Sequence, residues 1–109
     1  PQELTQYCEK QKVDASILMA HSVELDANAL YALNQSNLKY MGLLGPKHRR
    51  AQVFEQANIA IQEVKAPVFG PVGLNLGGDS PESIALSLIS EIHAVLSNKD
   101  ATSLSNWGQ

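Results

Sequence analysis

Apolar residues along this chain follow two alternating patterns. One is a near-continuous run of strand length, first seen in Ala15-Ser-Ile-Leu-Met-Ala20, which is typical of a strand buried on both faces of a sheet. The other is a recurrence every three to four residues, as on one face of a helix. Together they predict helices over 3–12, 27–36 and 47–58, a long fourth helix that begins after Asp79 or Ser80 with an apolar stripe reaching Leu96, and strands over 15–20, 38–44 and around 72–75.

This alternation of helices and strands predicts an α/β layer fold with a mostly parallel sheet and right-handed crossovers. A sheet of three strands is thin and leaves two edges to protect. We therefore expect it to be completed by upstream strands or by a second copy of the chain. The chain begins with Pro1 and not Met, close to the start of a predicted helix, so we expect a fragment or a trimmed form of a longer protein.

The pattern also predicts how the first two helices pack. Cys8 lies on the apolar face of the first helix, where we expect a small buried side chain. Asp26 is a suitable N-cap for the second helix, with Leu25 and Leu30 forming a hydrophobic staple. Leu30 and Leu33 would face the sheet.

The other two helices have equally clear apolar stripes. Val53, Phe54 and Ala57 would form the inner stripe of the third helix. Either Asp79 or Ser80 can cap the fourth helix, whose apolar stripe is expected to pack on a flat apolar surface.

Composition narrows the class of protein. The chain has 109 residues, of which 44% are hydrophobic and 17% charged, with a net charge of −3. These values fit one globular domain, predicted over 1–98, and disfavour a general nucleic-acid-binding role. A single cysteine excludes internal disulfides and suits a reducing, cytoplasmic location. No apolar run approaches the roughly 20 residues of a membrane helix. Residues 99–109 are predicted to be a flexible polar tail, with Trp107 an incidental exposed aromatic or a packing contact.

Three predicted loops follow the strands, over 21–26, 42–50 and 73–80. In open α/β sheets, ligands bind outside the carboxyl ends of the strands. We therefore expect these loops to line one rim and to form the binding site.

The second loop carries an unusual cluster of cations. Lys47, Arg49 and Arg50 lie at a helix N-terminus, where positive charge is unfavourable unless an anion is bound. The cluster predicts an anion site together with the backbone N–H groups after Gly45. A solvated basic face or a subunit contact would explain it equally well.

The third loop has the opposite character. Asp79 and Glu82 already complement its helix dipole, so a phosphate would be repelled there. The glycines at 73 and 77 suit backbone contacts with a neutral hydrogen-bonding ligand, or tight packing against a neighbouring domain. Asn75 could hydrogen-bond an amide or pterin-like edge, or could simply be a turn residue.

His21 lies at a strand end beside Ser22, with Asp26 a turn away. A catalytic triad is disfavoured because there is no nucleophile elbow or oxyanion motif. We expect His21 to orient its loop or to hydrogen-bond a ligand. No pair of His, Asp or Glu has a metal-ligand spacing, and no Gly-x-Gly-x-x-Gly follows a strand.

Three segments resemble, in order and spacing, the signatures of the XdhC/CoxI family, the xanthine dehydrogenase accessory factors. They are His21-Ser-Val-Glu-Leu-Asp26, Tyr40-Met-Gly-Leu-Leu-Gly-Pro-Lys-His-Arg-Arg50 and Pro71-Val-Gly-Leu-Asn-Leu-Gly-Gly-Asp-Ser-Pro-Glu-Ser-Ile-Ala85. The similarity covers roughly residues 13–97, and the third segment is the most specific. The family's His-Asp opening is His21-Ser22 here, a mild departure.

The resemblance implies the later part of a Rossmann-like, three-layer C-terminal domain, without that domain's glycine-rich first turn. Family members bind molybdenum cofactor (molybdopterin), help to protect or mature it, and deliver it to molybdenum hydroxylases such as xanthine dehydrogenase. The implied role is an accessory chaperone more than an enzyme. The unprotected edges of the sheet, and not the resemblance, lead us to expect a homo-oligomer such as a dimer. The expected cofactor-binding residues are His21, Gly42, Gly45, Lys47, Arg49, Arg50, Gly73, Asn75 and Gly77, with no catalytic residue and no metal ligand.

Two other interpretations remain open on the sequence. The chain could be part of an NAD(P)-dependent oxidoreductase whose glycine-rich loop lies upstream. It could also be a non-catalytic dimerisation module that uses its rim loops for assembly.

Overall fold

The computed structural model describes residues 2–106, and Trp107 lies outside them. The chain divides into two compact units, one ending at Val72 and the other beginning at Gly73. The helices are α1 (Gln2–Gln11), α2 (Val23–Leu33), α3 (Lys47–Ala57) and α4 (Pro81–Leu96), with a 3-10 turn at Ile61–Glu63; the strands are β1 (Ala15–Leu18), β2 (Tyr40–Leu43) and β3 (Val68–Phe69).

The three strands form one parallel sheet in the order β1-β2-β3. Ala15 lies opposite Tyr40 and Leu18 opposite Leu43, while Gly42 lies opposite Phe69. The connection from β1 to β2 contains α2 and the connection from β2 to β3 contains α3, because parallel neighbours need a long crossover. The prediction of an α/β fold with a parallel sheet is confirmed.

The hydrophobic core of the first unit lies between the sheet and the helices that follow its first two strands. Met41 and Leu43 of β2 belong to the same buried cluster as Leu30 and Leu33 of α2 and Val53 of α3. Cys8 is also in this cluster, and Phe54 and Ala57 pack against it. These predicted inner faces are therefore confirmed, because each reflects a 3.6-residue period that does not depend on the exact ends of the helix.

The first two strands differ in how deeply they are buried, and only the first was predicted to be buried on both faces. All four residues of β2 are buried, whereas in β1 only Leu18 is buried and the other three residues are half-buried. Within the described residues, β2 has a strand on each side and β1 has a strand on one side only. The prediction of full burial was wrong for β1 because it took an edge strand for a central one.

The third strand does not lie at 72–75. It forms within the proline-rich segment, at Val68–Phe69. Pro67 lacks an N–H group, but its carbonyl oxygen accepts a hydrogen bond from Met41 N–H at 3.0 Å. A proline can therefore directly precede this short strand, because the ladder at that position needs only an acceptor. Gly73, with a φ of +105°, then leaves the extended conformation.

Helix α2 begins four residues earlier than predicted. Ser22 is its N-cap, and the Ser22 hydroxyl accepts a hydrogen bond from Leu25 N–H at 3.2 Å. Leu25 is 61% exposed, so the predicted hydrophobic staple is wrong. Asp26 lies within the first helical turn and is buried, which releases its carboxylate for contacts outside the helix.

In the second unit, the N-cap of α4 is one of the two residues predicted for that position. Ser80 is the N-cap, with its hydroxyl accepting from Ser83 N–H at 3.1 Å, and Pro81 is the first helical residue. No residue of α4 is buried. Within this unit, the apolar stripe of α4 is therefore not packed against a surface as predicted.

We expect Leu30→Ala to lower the free energy of unfolding by about 2–5 kcal/mol, because it leaves a cavity in the core. Leu25→Ala is the matched control on the same helix, and a change within about 0.5 kcal/mol is expected there. The measurement is urea unfolding, followed by hydrogen exchange in peptides of α2. Equal losses in the two variants would contradict the burial of Leu30.

Candidate functional site

A cavity of about 180 Å³ lies beyond the carboxyl ends of β1 and β2. Parallel sheets bind ligands at this edge. The residues that line the cavity are Met19, Ala20, His21, Leu44, Gly45 and Arg49. The structure thus brings together residues of the first two predicted rim loops.

A larger groove of about 510 Å³ lies between α1 and the C-terminal half of α2. Its lining includes Gln2, Gln6, Tyr31 and Gln35, and none of these lies at a strand end. We favour the smaller cavity as the site, because the carboxyl edge of a parallel sheet brings loops from separate strands together on one ligand.

Arg49, which lines the cavity, belongs to a largely buried ion pair. Asp26 Oδ2 accepts a hydrogen bond from Arg49 Nη1 at 3.0 Å. The Asp26 side chain is only 4% exposed, and that of Arg49 is 22% exposed. Such a pair is stable only when both charges have further partners, because removing ions from water is costly.

Those further partners are the backbone groups of Ala20. Asp26 Oδ1 accepts from Ala20 N–H at 3.1 Å, and Arg49 Nη2 donates to the Ala20 carbonyl oxygen. Both polar groups of the residue before His21 are therefore held by charged side chains. These hydrogen bonds connect the end of β1 with the first turns of α2 and α3.

Arg50 is also engaged within the chain. Arg50 Nη1 donates to the Gly45 carbonyl oxygen at 2.7 Å. A Cβ atom on Gly70 would lie 2.7 Å from Arg50 Cδ, so the arginine side chain crosses the backbone at this glycine. Arg50 therefore connects the loop after β2 with the loop after β3.

Lys47 is the member of the cation cluster that points outward. It is exposed at the first position of α3, and the neighbouring His48 is exposed as well. The N-cap, Pro46, makes no side-chain hydrogen bond to the first turn. The positive end of this helix thus lacks the side-chain acceptor that usually satisfies first-turn N–H groups.

The two predicted glycines of this region have different environments. Gly45 lines the cavity with a φ of +113°, a conformation that strongly favours glycine. Gly42 is buried within β2, and a Cβ atom there would lie 2.8 Å from both Tyr40 Cε1 and Val72 Cγ1. The structure therefore gives Gly42 a packing role beneath the Tyr40 ring.

The remaining predicted site residues belong to the second unit. Gly73 N–H donates to Glu91 Oε1 at 3.0 Å, and a Cβ atom on Gly73 would lie 3.1 Å from Ser87 Cβ. This glycine lets its loop lie against α4. Asn75 and Gly77 are exposed, and nothing lies within 4 Å of the Cβ position of Gly77.

Sequence reasoning missed the apolar part of the cavity lining. Met19 and Leu44 follow the ends of β1 and β2 directly, whereas the apolar pattern places each of them within a strand. Their positions at the ends of apolar runs are the signal that could have found them. Met19 and Leu44 make the lining largely apolar. The charge of Arg49 in the same lining is paired with that of Asp26.

Two absences hold for residues 2–106. No three His, Cys, Asp or Glu side chains in this range come together as metal ligands. No helix in the same range is both long and apolar enough to cross a membrane.

A parallel sheet with intervening helices and a cavity at its carboxyl edge defines an α/β domain of the Rossmann type. The chain matches the model of the XdhC Rossmann domain over residues 1–92. It therefore belongs to this family, and the resemblance noted in the sequence is confirmed.

Two individual relatives match the chain at the same level of identity. The chain is 32% identical over 79 residues to a probable xanthine dehydrogenase subunit of Bacillus subtilis, covering 72% of this chain and 22% of that protein. It is 32% identical over 77 residues to the uncharacterized protein YqeB of Escherichia coli, covering 67% of this chain and 14% of that protein.

A solved structure shares the fold. The crystal structure of a xanthine dehydrogenase from Bacillus halodurans matches with a TM-score of 0.63 and 28% identity, covering 84% of this chain and 26% of that one. The chain thus spans about a quarter or less of the length of these relatives.

We expect Arg49→Ala to lower the free energy of unfolding by about 3–5 kcal/mol, because it leaves the Asp26 carboxylate buried without its partner. Lys47→Ala, two residues earlier on the same helix, should change it by no more than about 0.5 kcal/mol. Urea unfolding of the two variants, monitored by hydrogen exchange in α2 and α3, tests this difference. A large loss for Lys47→Ala as well would show that both cations are structural.

Proposed function

We propose that this chain is part of an accessory protein for the maturation of xanthine dehydrogenase-type molybdenum hydroxylases, in which it binds molybdenum cofactor. The observation that carries the proposal is the cavity at the carboxyl edge of the sheet, lined by His21, Gly45 and Arg49, in a chain of the XdhC Rossmann family. Relatives named as xanthine dehydrogenases or as parts of one support the same client class.

The chemistry of the cavity region fits a molybdopterin-type ligand. Such a ligand has a flat heterocycle with a polar edge and a terminal phosphate. Met19 and Leu44 offer apolar surface to the ring, and the His21 imidazole can hydrogen-bond to its edge. When bound, the molybdenum centre supplies the redox chemistry of the client enzyme; the role of this chain is to hold the ligand and release it.

The phosphate has a separate candidate position. Lys47 is exposed at the start of α3, whose first turn has no side-chain cap. A phosphate there would interact with the lysine ammonium group and with the positive end of the helix dipole. Arg49 and Arg50 are already bonded within the chain, so their role in binding would be to shape the loops.

The proposal extends to the setting in which the protein works. The client would be a molybdenum hydroxylase such as xanthine dehydrogenase, and the accessory protein would act as a homo-oligomer in the cytoplasm. The presence of a single, buried cysteine supports a reducing compartment. Within the described residues β1 pairs with a strand on one side only, which supports completion of the sheet by further chain or by a second copy.

We expect Lys47→Ala and His21→Ala each to weaken molybdopterin binding by the full-length protein about tenfold, a loss of about 1.4 kcal/mol. Both side chains are exposed, so their removal should leave the fold intact. The measurement is anaerobic equilibrium binding of molybdopterin, with NAD⁺ and NADP⁺ as comparison ligands.

The matched control is Lys39→Ala, which removes an exposed lysine whose ammonium group lies 3.9 Å from Asp14. Its affinity for molybdopterin should equal that of the unaltered protein. Unchanged affinity in both site variants would reject this cavity as the binding site. Tight binding of a nicotinamide nucleotide in place of molybdopterin would favour the oxidoreductase interpretation.

A further inference from the structure

The positive charge of Arg49, a lining residue of the cavity, is paired with a carboxylate of the same chain. Arg49 lines the cavity, and its guanidinium group is bonded to the Asp26 carboxylate at 3.0 Å. The remaining lining is apolar side chain, backbone and the His21 imidazole. Apart from this internally paired arginine, the cavity therefore presents no ionised carboxylate, lysine or arginine to a ligand.

The same pair determines where the His21 turn lies. Asp26 accepts the N–H of Ala20 and Arg49 donates to its carbonyl oxygen. Because both groups of one peptide residue are held, the backbone entering His21 has little freedom to rotate. A carboxylate alone would hold only the N–H, and an arginine alone only the carbonyl.

We propose that Asp26 and Arg49 form a positioning pair that sets the His21 turn and keeps the cavity electrically neutral, so that the cavity accepts an uncharged heterocycle and rejects a phosphate. The ligand assignment rests on the proposed function, which it makes more specific. Neither side chain has to present an unpaired charge to the ligand. Asp26 in particular acts through Arg49 and Ala20.

The test uses Asp26→Asn in the full-length protein. Asparagine retains the size of the side chain and an oxygen that can accept from Ala20 N–H, but it leaves the Arg49 charge unpaired. The matched control is Asp14→Asn, the same substitution at an exposed carboxylate that lies 3.9 Å from Lys39. The probes are 6-hydroxymethylpterin, which is uncharged at pH 7, and inorganic phosphate.

We expect Asp26→Asn to weaken binding of the pterin about tenfold and to strengthen binding of phosphate about tenfold, because an unpaired cation then faces the cavity. Asp14→Asn should change neither affinity. The double variant Asp26→Asn/Arg49→Gln removes both charges, and it should lose the added phosphate affinity. A merely structural pair would not reverse the preference between the two probes.

A second measurement needs no ligand. Hydrogen exchange at the Ala20 amide should become about tenfold faster in Asp26→Ala, which removes the acceptor of that N–H, and not in Asp14→Ala, while exchange in the core of β2 stays slow. Unchanged exchange at Ala20 would overturn the positioning role. Exchange that rises equally throughout the first unit would overturn it as well.

Failure of the inference and failure of the proposed function give different results. If the unaltered protein binds the pterin but Asp26→Asn leaves the preference for pterin over phosphate unchanged, the inference is wrong and the proposed function stands. If the unaltered protein binds neither the pterin nor molybdopterin, the proposed function fails. The gain of phosphate affinity and the exchange at Ala20 still decide whether the pair acts as described.

Discussion

The buried contact between Asp26 and Arg49 holds together the part of this domain that could bind a ligand. Taking two charges out of water is costly, and their mutual attraction alone often fails to offset that cost. Here the N–H and carbonyl groups of Ala20 provide two further hydrogen bonds. The pair is stable in its buried position because each charge has more than one partner. It also makes the geometry at the end of β1 depend on the first turn of α3.

This ion pair changes the role that can be assigned to the cations at the start of α3. Arg49 and Arg50 each donate to backbone carbonyl groups, of Ala20 and Gly45 respectively, whereas Lys47 remains exposed. A local excess of positive charge at a helix N-terminus suggests an anion site, but most of this excess is used to hold loops. The cavity between those loops is consequently neutral and largely apolar, and the exposed lysine stands apart from it.

Much of the fold could be predicted because the relevant signals are local. The periods of apolar residues indicated the order of elements, and they identified Leu30, Leu33 and Val53 as core residues. The errors occurred where two residues close together in the sequence could each occupy the same structural position. Ser22 and Asp26 are both acceptable N-caps, and only the buried partner of Asp26 decides between them. The third strand was misplaced because prolines usually exclude a strand, whereas an edge position needing only an acceptor tolerates one.

The sequence by itself determined the α/β order, the parallel sheet, the buried faces of α2 and α3, and the family resemblance, because these depend on periodicity and on short motifs. Only the tertiary structure decided which predicted site residues share a cavity and which cations are free. The partners of Arg49 lie 23 and 29 residues away in the chain. No local pattern records such a pairing, since it forms only when the strands place their carboxyl ends side by side.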